Sequence, residues 1–284
     1  MEQTGLRVAS CQFPVSSEVA HNAEHIRALL TQAAERGAHL VQFSEAALSG
    51  YCGVDLYTWD AYNWDALRTH TQAIQALSAE LGLWTLLGSS HPLGEGLKPT
   101  NCTYVVDPQG VVVDRYDKCM LTDIDQLGYT AGDHPVTLEI RGVRCGLLTC
   151  YDVCFPEMYA RYRRADVQLI FHAFHNASFG QETILDVMGH PWLQVRAADN
   201  RVWIVANNNA RPHQAWPGCV VRPDGSLAAV MERHATGMLV HDFPDETLMG
   251  WTHNDKPLRL ADDEIYQRGT SSTHARQRDR RALP

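Results

Sequence analysis

Apolar positions along this chain follow two alternating periods. "LRVASCQFP" is a short β-branched and apolar run, whereas "NAEHIRALLTQAAERGA" repeats its apolar residues every three or four positions, as one face of a helix does. The pair recurs: "HLVQFSE" predicts a strand that ends in a carboxylate. After an aromatic, Gly-containing loop, "SGYCGVDLYTWDAYNWD", the stretch "ALRTHTQAIQALSAELG" predicts a second helix. "LWTLLGSSH" predicts a third strand. "TNCTYVVDPQGVVVDRYDK" predicts a hairpin turning across Asp107, Pro108, Gln109 and Gly110.

The second half repeats this mixture. "VTLEIRGVRCGLLTC" supplies two strands turning at Arg141 and Gly142, and a helix starts near Phe155 and Pro156, where Pro suits a first turn. "DVQLIFHAF" and "RVWIVANNN" read as strands, and between them "ILDVMGHPWLQVRAADN" reads as a helix with a Pro irregularity. "WPGCVVRPDGSLAAVME" is a further hairpin, turning at Pro223, Asp224 and Gly225. Strand–helix units mixed with hairpins predict an α/β fold, a sandwich of sheets covered by helices. No linker rich in Pro, Gly and Ser divides the chain. One domain is expected over residues 1–264, with a C-terminal tail over 265–284, extended or mobile and available to pack on a partner subunit.

Composition narrows the function classes. With 284 residues, 45% hydrophobic and 20% charged, the chain can bury a substantial core. A formal net charge of -9 speaks against a nucleic-acid partner, because phosphate binding needs clustered Lys and Arg. No apolar run reaches the roughly 18 to 20 residues of a membrane span, and no basic flank with an apolar stretch opens the chain, so a cytoplasmic protein is expected. Cys11, Cys102, Cys145 and Cys219 lie in or beside apolar runs and read as reduced core residues. Cys145, Cys150 and Cys154 lack the CxxC spacing of a structural zinc site. His172, His175 and His190 invite a metal reading, but no carboxylate completes that set.

In α/β folds reactive groups gather where strands end. Three polar residues end apolar strands here: Glu45 closes "LVQFSE", Lys118 follows "VVVDRYD", and Cys150 closes "CGLLTC". Each alone has an ordinary structural explanation. Together they suffice for nucleophilic chemistry. A free thiol, with a pKa of about 8.5, needs a base, which Glu45 supplies; the oxyanion formed on attack needs a positive charge, which Lys118 supplies. Cys150 sits on a strand-to-helix turn where backbone N–H groups from Tyr151 onward face the same oxygen. That favours it over Cys154, deeper in the turn.

These residues and their neighbours resemble the nitrilase superfamily, the carbon-nitrogen hydrolases. "FSEAALSGY" is similar to its Glu motif, "YDKCML" to its Lys motif and "GLLTCYDVCFPE" to its Cys motif; "RAADN" and "VVRPDGSLAAV" match later motifs in the right order. The resemblance covers about residues 5 to 243. It implies a four-layer αββα sandwich of mixed sheets flanked by helices, a homodimer or higher homo-oligomer, and neither metal nor organic cofactor. It also implies hydrolysis of a non-peptide carbon–nitrogen bond of a small amide-like molecule through a cysteine thioester. One departure concerns a second Glu that many members carry between the Lys and Cys motifs. Here Asp125 stands at that place, seven residues before Gly132, with Tyr129 as the intervening aromatic. Cys219 stands where relatives often have Ser.

The pocket is expected from the loops: Tyr51, Tyr57 and Trp59 after the Glu, Tyr129 in the middle loop, and His172, His175, Asn176 and Ser178 after the following strand. Trp192 and Trp203 are expected in the core. Asp152, Arg196 and Asp199 are expected to be buried charges that pair or cap around the site. The alternatives are a nitrilase or N-carbamoyl-amine hydrolase using the same three residues, a silent binding protein, and a thiol redox protein using Cys150 with Cys154.

Overall fold

The computed structural model describes residues 5–94, 96–176 and 184–243. Its first half runs β1 (Leu6–Gln12), α1 (Val19–Glu35), β2 (Leu40–Gln42), α2 (Trp64–Leu81), β3 (Trp84–His91), β4 (Thr100–Val106), β5 (Val112–Asp117) and a short α3 (Asp125–Gly128). The second runs β6 (Thr137–Ile140), β7 (Val143–Thr149), a 3-10 turn over Cys150–Cys154, α4 (Pro156–Arg164), β8 (Leu169–Ala173), α5 (Ile184–Asn200), β9 (Trp203–Asn207), β10 (Cys219–Val221), β11 (Leu227–Val230) and β12 (Gly237–Phe243).

Two six-stranded sheets result, ordered β12-β1-β2-β3-β4-β5 and β11-β10-β9-β8-β7-β6. Each has a parallel centre, β1-β2-β3 or β7-β8-β9, and antiparallel hairpins outside it. The strand–helix units build the centres and the hairpins extend them. One apolar cluster lies between the sheets and under α4 and α5, joining Val8, Leu40 and Leu86 to Leu147, Phe171 and Val205. A second, with Phe43, Ile26 and Ile74, seals α1 and α2 onto the outer face of the first sheet.

Local chemistry sets the ends of these elements. Asn63 caps α2 by accepting from the Ala66 N–H, and Gly82 ends it at φ 66°. Arg141 and Gly142, at φ 51° and 79°, make the tight turn of the β6–β7 hairpin. Cys219 is buried in β10, paired with Ala206 and Val230, a place that suits a thiol better than a hydroxyl lacking a partner. Trp203 is buried and Trp192 partly so, both against the inter-sheet cluster. β12 was not foreseen. It pairs along the whole of β1, from Leu6 with Phe243 to Gln12 with Gly237, a partnership across more than 200 residues that no local period announces. The expected boundary at 264 and the tail over 265–284 lie outside the described residues.

Candidate active site

The strand ends bring Glu45, Lys118 and Cys150 together. Glu45 follows β2 in a tight loop that passes very close to β3: a Cβ on Gly88 would stand 1.9 Å from the Ser44 carbonyl oxygen. Only glycine permits that approach, and the Leu48 N–H then bonds the Gly88 carbonyl at 2.9 Å. The Glu45 side chain is buried. Its Oε1 accepts from Lys118 Nζ at 2.9 Å and from Asn101 Nδ2 at 2.7 Å, while Oε2 has no hydrogen-bond partner among the described residues.

Lys118, just beyond β5, is fully buried and fixed through its backbone: its N–H donates to the Asn101 carbonyl and its carbonyl accepts from Gly132. Gly132 again allows no side chain, since its Cβ would lie 2.1 Å from the Asp117 oxygen. Lys118 Nζ also reaches Asp125 Oδ2 at 2.8 Å. Asp125 accepts at that oxygen from the Thr122 N–H and at its other oxygen from the Tyr51 hydroxyl. The Tyr51 ring lies 5.8 Å from the ammonium. Although an Asp is one methylene short of a Glu, this one touches the lysine.

Cys150 opens the 3-10 turn with φ 48°, in the left-handed region that side chains rarely enter. Asp152 braces that turn and ties it to the strand bearing Lys118. Its carboxylate accepts from the Thr149 N–H at 2.8 Å, the Tyr116 hydroxyl at 2.7 Å and the Met120 N–H at 3.0 Å. Arg196 donates to the Val153 carbonyl. Asp199, by contrast, is exposed at the end of α5, so the reading of a buried charge fails there.

Burial first, and then the neighbouring Glu45 carboxylate, push the Cys150 thiol well above its ordinary pKa, although Lys118 pulls the other way. The resting group is therefore a thiol facing a carboxylate. Burial opposes the Lys118 ammonium, but the anionic groups around it, among them Glu45 and Asp125, hold it well above the usual lysine range. Burial likewise opposes the Asp125 carboxylate, and Lys118 reverses the sign, leaving its pKa lowered. For Asp152 burial prevails over its donors and pushes the pKa up to about 6.

The expected pocket residues divide. Tyr51 and Tyr129 are buried beside the cluster, 6.0 Å apart, with Trp59 against Tyr129; the Tyr129 hydroxyl accepts from the Cys52 N–H. Asn176 Oδ1 lies 3.4 Å from the Cys150 sulfur, and its buried Nδ2 has no hydrogen-bond partner among the described residues. His175 stacks on Tyr51 and its Nε2 meets Asp55 at 2.9 Å, while Nδ1 has no partner among the described residues. Tyr151 is partly exposed and packs edge-on against Phe155. Two expectations need correction. Tyr57 is 93% exposed and stands apart from the cluster. His172 is fully buried with both ring nitrogens engaged by protein atoms, so it has no polar atom left for a substrate. His190 is occupied separately, at the Pro217 carbonyl. Ser178 lies outside the described residues.

Sequence reasoning missed Asn101, which holds Glu45, and Asp55, which is bonded by Tyr51 N–H, His175 and Arg211. Asn101 sits inside β4, opposite Ser90, and only the register brings it to the glutamate.

A sequence model of the family described as Carbon-nitrogen hydrolase matches residues 7–252. The chain is 27% identical over 285 residues to the chloroplastic omega-amidase of Arabidopsis thaliana, covering 93% of this chain and 74% of that protein. It is 28% identical over 242 residues to the omega-amidase of Homo sapiens, covering 80% and 84%. An amidase from Nesterenkonia sp. shares the fold with a TM-score of 0.74 at 23% identity, over 84% of this chain and 90% of that one. A variant of the Nesterenkonia sp. AN1 amidase, with a TM-score of 0.74 at 22% identity over 86% and 92%, carries the acetamide moiety of fluoroacetamide covalently at its active-site cysteine.

Proposed function

The chain belongs to the carbon-nitrogen hydrolase family and is an amide-cleaving, cysteine-dependent hydrolase, and from that premise we propose that Cys150 is the nucleophile, Glu45 its proton acceptor and Lys118 the oxyanion's cation. The observation that carries this reading is the Oε2 of Glu45, without a hydrogen-bond partner among the described residues, in a buried cluster whose other carboxylate oxygen is already bound to Lys118. Because the resting thiol is protonated, its proton moves to Glu45 as the sulfur attacks the amide carbon. Negative charge then develops on the former carbonyl oxygen, facing Lys118 and the backbone N–H groups after Cys150. Glu45 returns the proton to the leaving amine as the carbon–nitrogen bond breaks, leaving a thioester. Water gives a proton to Glu45 and attacks the thioester; release of the acid restores the thiol.

The substrate is a small linear amide: an aliphatic amide, an ω-amido acid or an N-carbamoyl amine. The names of the omega-amidase relatives support this, as do acrylamide and butyramide bound to variants of the Nesterenkonia amidase. Tyr51, Tyr129 and Asn176 line its site. Assembly as a homodimer or larger homo-oligomer in the cytoplasm belongs to the same proposal, supported by Ile184, Val187 and Val195, which leave α5 with an exposed apolar face. No described helix is long and apolar enough to cross a membrane.

Intact-protein mass spectrometry with a panel of amides, carbamoyl amines and nitriles tests the chemistry, with ammonia release followed in parallel. Wild type is expected to show an acyl adduct and ammonia, and Cys150→Ala neither. Retention of a tenth of the turnover by folded Cys150→Ala would remove Cys150 from the mechanism.

A further inference from the structure

We propose that His172 is a positioning residue: it holds the carbonyl oxygen of Cys150 and so keeps the nucleophile's backbone in its left-handed conformation. This rests on the reading of Cys150 as the nucleophile. His172 is the penultimate residue of β8, paired with Leu148 two residues before Cys150, and its Nε2 stands 3.2 Å from the Cys150 carbonyl oxygen. Its Nδ1 stands 2.6 Å from the Tyr159 hydroxyl. A carbonyl oxygen only accepts, so Nε2 carries the proton and Nδ1 accepts from the tyrosine. Tyr159 thus selects the tautomer that can grip the turn. Phe174 stacks on the imidazole, with ring centres 4.2 Å apart and planes 19° from parallel, and fixes its plane.

The need for such a grip lies in Cys150 itself. At φ 48° a residue with a side chain is strained, and such conformations persist where the surroundings over-determine them. Three side chains do so here. Asp152 takes the Thr149 N–H before the cysteine, His172 takes the Cys150 carbonyl, and Arg196 takes the Val153 carbonyl three residues on. The Arg196 guanidinium also lies over the Tyr159 ring at 6.0 Å, so two of the three clamps meet on one tyrosine of α4. Burial keeps His172 neutral, its pKa lowered to about 3, which preserves the single-donor tautomer at working pH. A core histidine that merely satisfied its nitrogens would serve stability alone. This one ends on the backbone of the reacting residue, where a displacement of 1 Å costs on the order of 100-fold in rate.

Three variants of the full chain test the assignment: His172→Leu, His172→Gln and Tyr159→Phe. Each is assayed for kcat and KM on the amide that labels the wild type, and for the rate at which iodoacetamide alkylates Cys150. His172→Leu is expected to lower kcat and alkylation together by roughly 10-fold or more with KM within about threefold. His172→Gln, whose amide can donate from nearly the same place, is expected to recover most of both. Tyr159→Phe is expected to lower kcat about threefold or more without changing KM. Folded His172→Leu with wild-type kcat and alkylation would overturn the proposal, as would a glutamine variant no better than leucine. If His172→Leu does not fold, Tyr159→Phe decides: an unchanged kcat there also overturns it. A mistaken nucleophile shows itself separately, as turnover surviving in Cys150→Ala.

Discussion

Replacing Lys118 by Met tests the electrostatics of the site. The wild-type ammonium is fully buried between Glu45 Oε1 at 2.9 Å and Asp125 Oδ2 at 2.8 Å. Methionine has similar length but no charge, so two carboxylates would share a dry cavity without their cation. Breaking a buried ion pair from one side costs about 3 to 5 kcal/mol, which in a domain of this size lowers the melting temperature by roughly 6 to 20 °C. The pH dependence should reverse as well. In the wild type Lys118 depresses the Asp125 pKa, so that stabilisation is present above the unfolded value of about 4 and fades as pH falls through the lower folded value. Without Lys118 burial raises the Asp125 pKa, and the variant should gain stability relative to wild type as pH falls from 7.5 to 5. Adding Asp125→Asn to Lys118→Met should restore much of the loss. Differential scanning calorimetry of the two variants at both pH values measures all of this. A Lys118→Met protein melting within 2 °C of wild type at pH 7.5, with no dependence on Asp125, would refute the reasoning.

Other consequences are simpler. Gly88→Ala should destabilise the chain by more than about 3 kcal/mol in urea unfolding, because its Cβ would overlap the Ser44 carbonyl in the loop that carries Glu45. Cys154→Ser should keep turnover within about twofold of wild type, since a hydrolase needs one thiol; complete loss would favour a redox pair. His172 stays neutral down to about pH 3 when folded but titrates near 6.5 when unfolded, so its contribution is present above pH 6.5 and lost as pH falls. Between pH 7.5 and 5.0 wild type should therefore lose about 2 kcal/mol more unfolding free energy than His172→Gln, and equal losses would contradict the buried neutral imidazole.

Reading the sequence reached the central cluster because its members sit where periodic patterns stop. Glu45, Lys118 and Cys150 each interrupt an apolar, β-rich run, whereas Asp125 is reached only through the family resemblance, at the place of the second Glu seven residues before Gly132. What failed was anything that depends on which way a loop side chain turns. Tyr57 and Tyr51 belong to the same aromatic loop, yet Tyr51 is sealed under Asp125 and Tyr57 lies in solvent. Both His172 and His175 follow one apolar run. His172 is still within β8 and points its nitrogens at Tyr159 and the Cys150 carbonyl; His175 is past the strand end, where the chain is free to meet Asp55. Three residues of separation, an odd number across a strand end, send two similar side chains to different surroundings.

The site also explains why two sheets are needed for one reaction. Glu45 and Lys118 leave the first sheet, Cys150 and His172 belong to the second, and no single hairpin holds base and nucleophile together. Their separation is therefore set by how the sheets pack, through the shared apolar cluster and through polar ties such as Asn207, which donates to the Cys11 and Gln42 carbonyls. Asp152 is the shortest of these ties: three residues after Thr149 it reaches the backbone at Met120 and the hydroxyl of Tyr116, each two residues from Lys118. A carboxylate whose burial raises its own pKa to about 6 is a costly brace for a fold. It is a reasonable one for an enzyme, because the same side chain fixes the turn of the nucleophile against the segment that bears the cation.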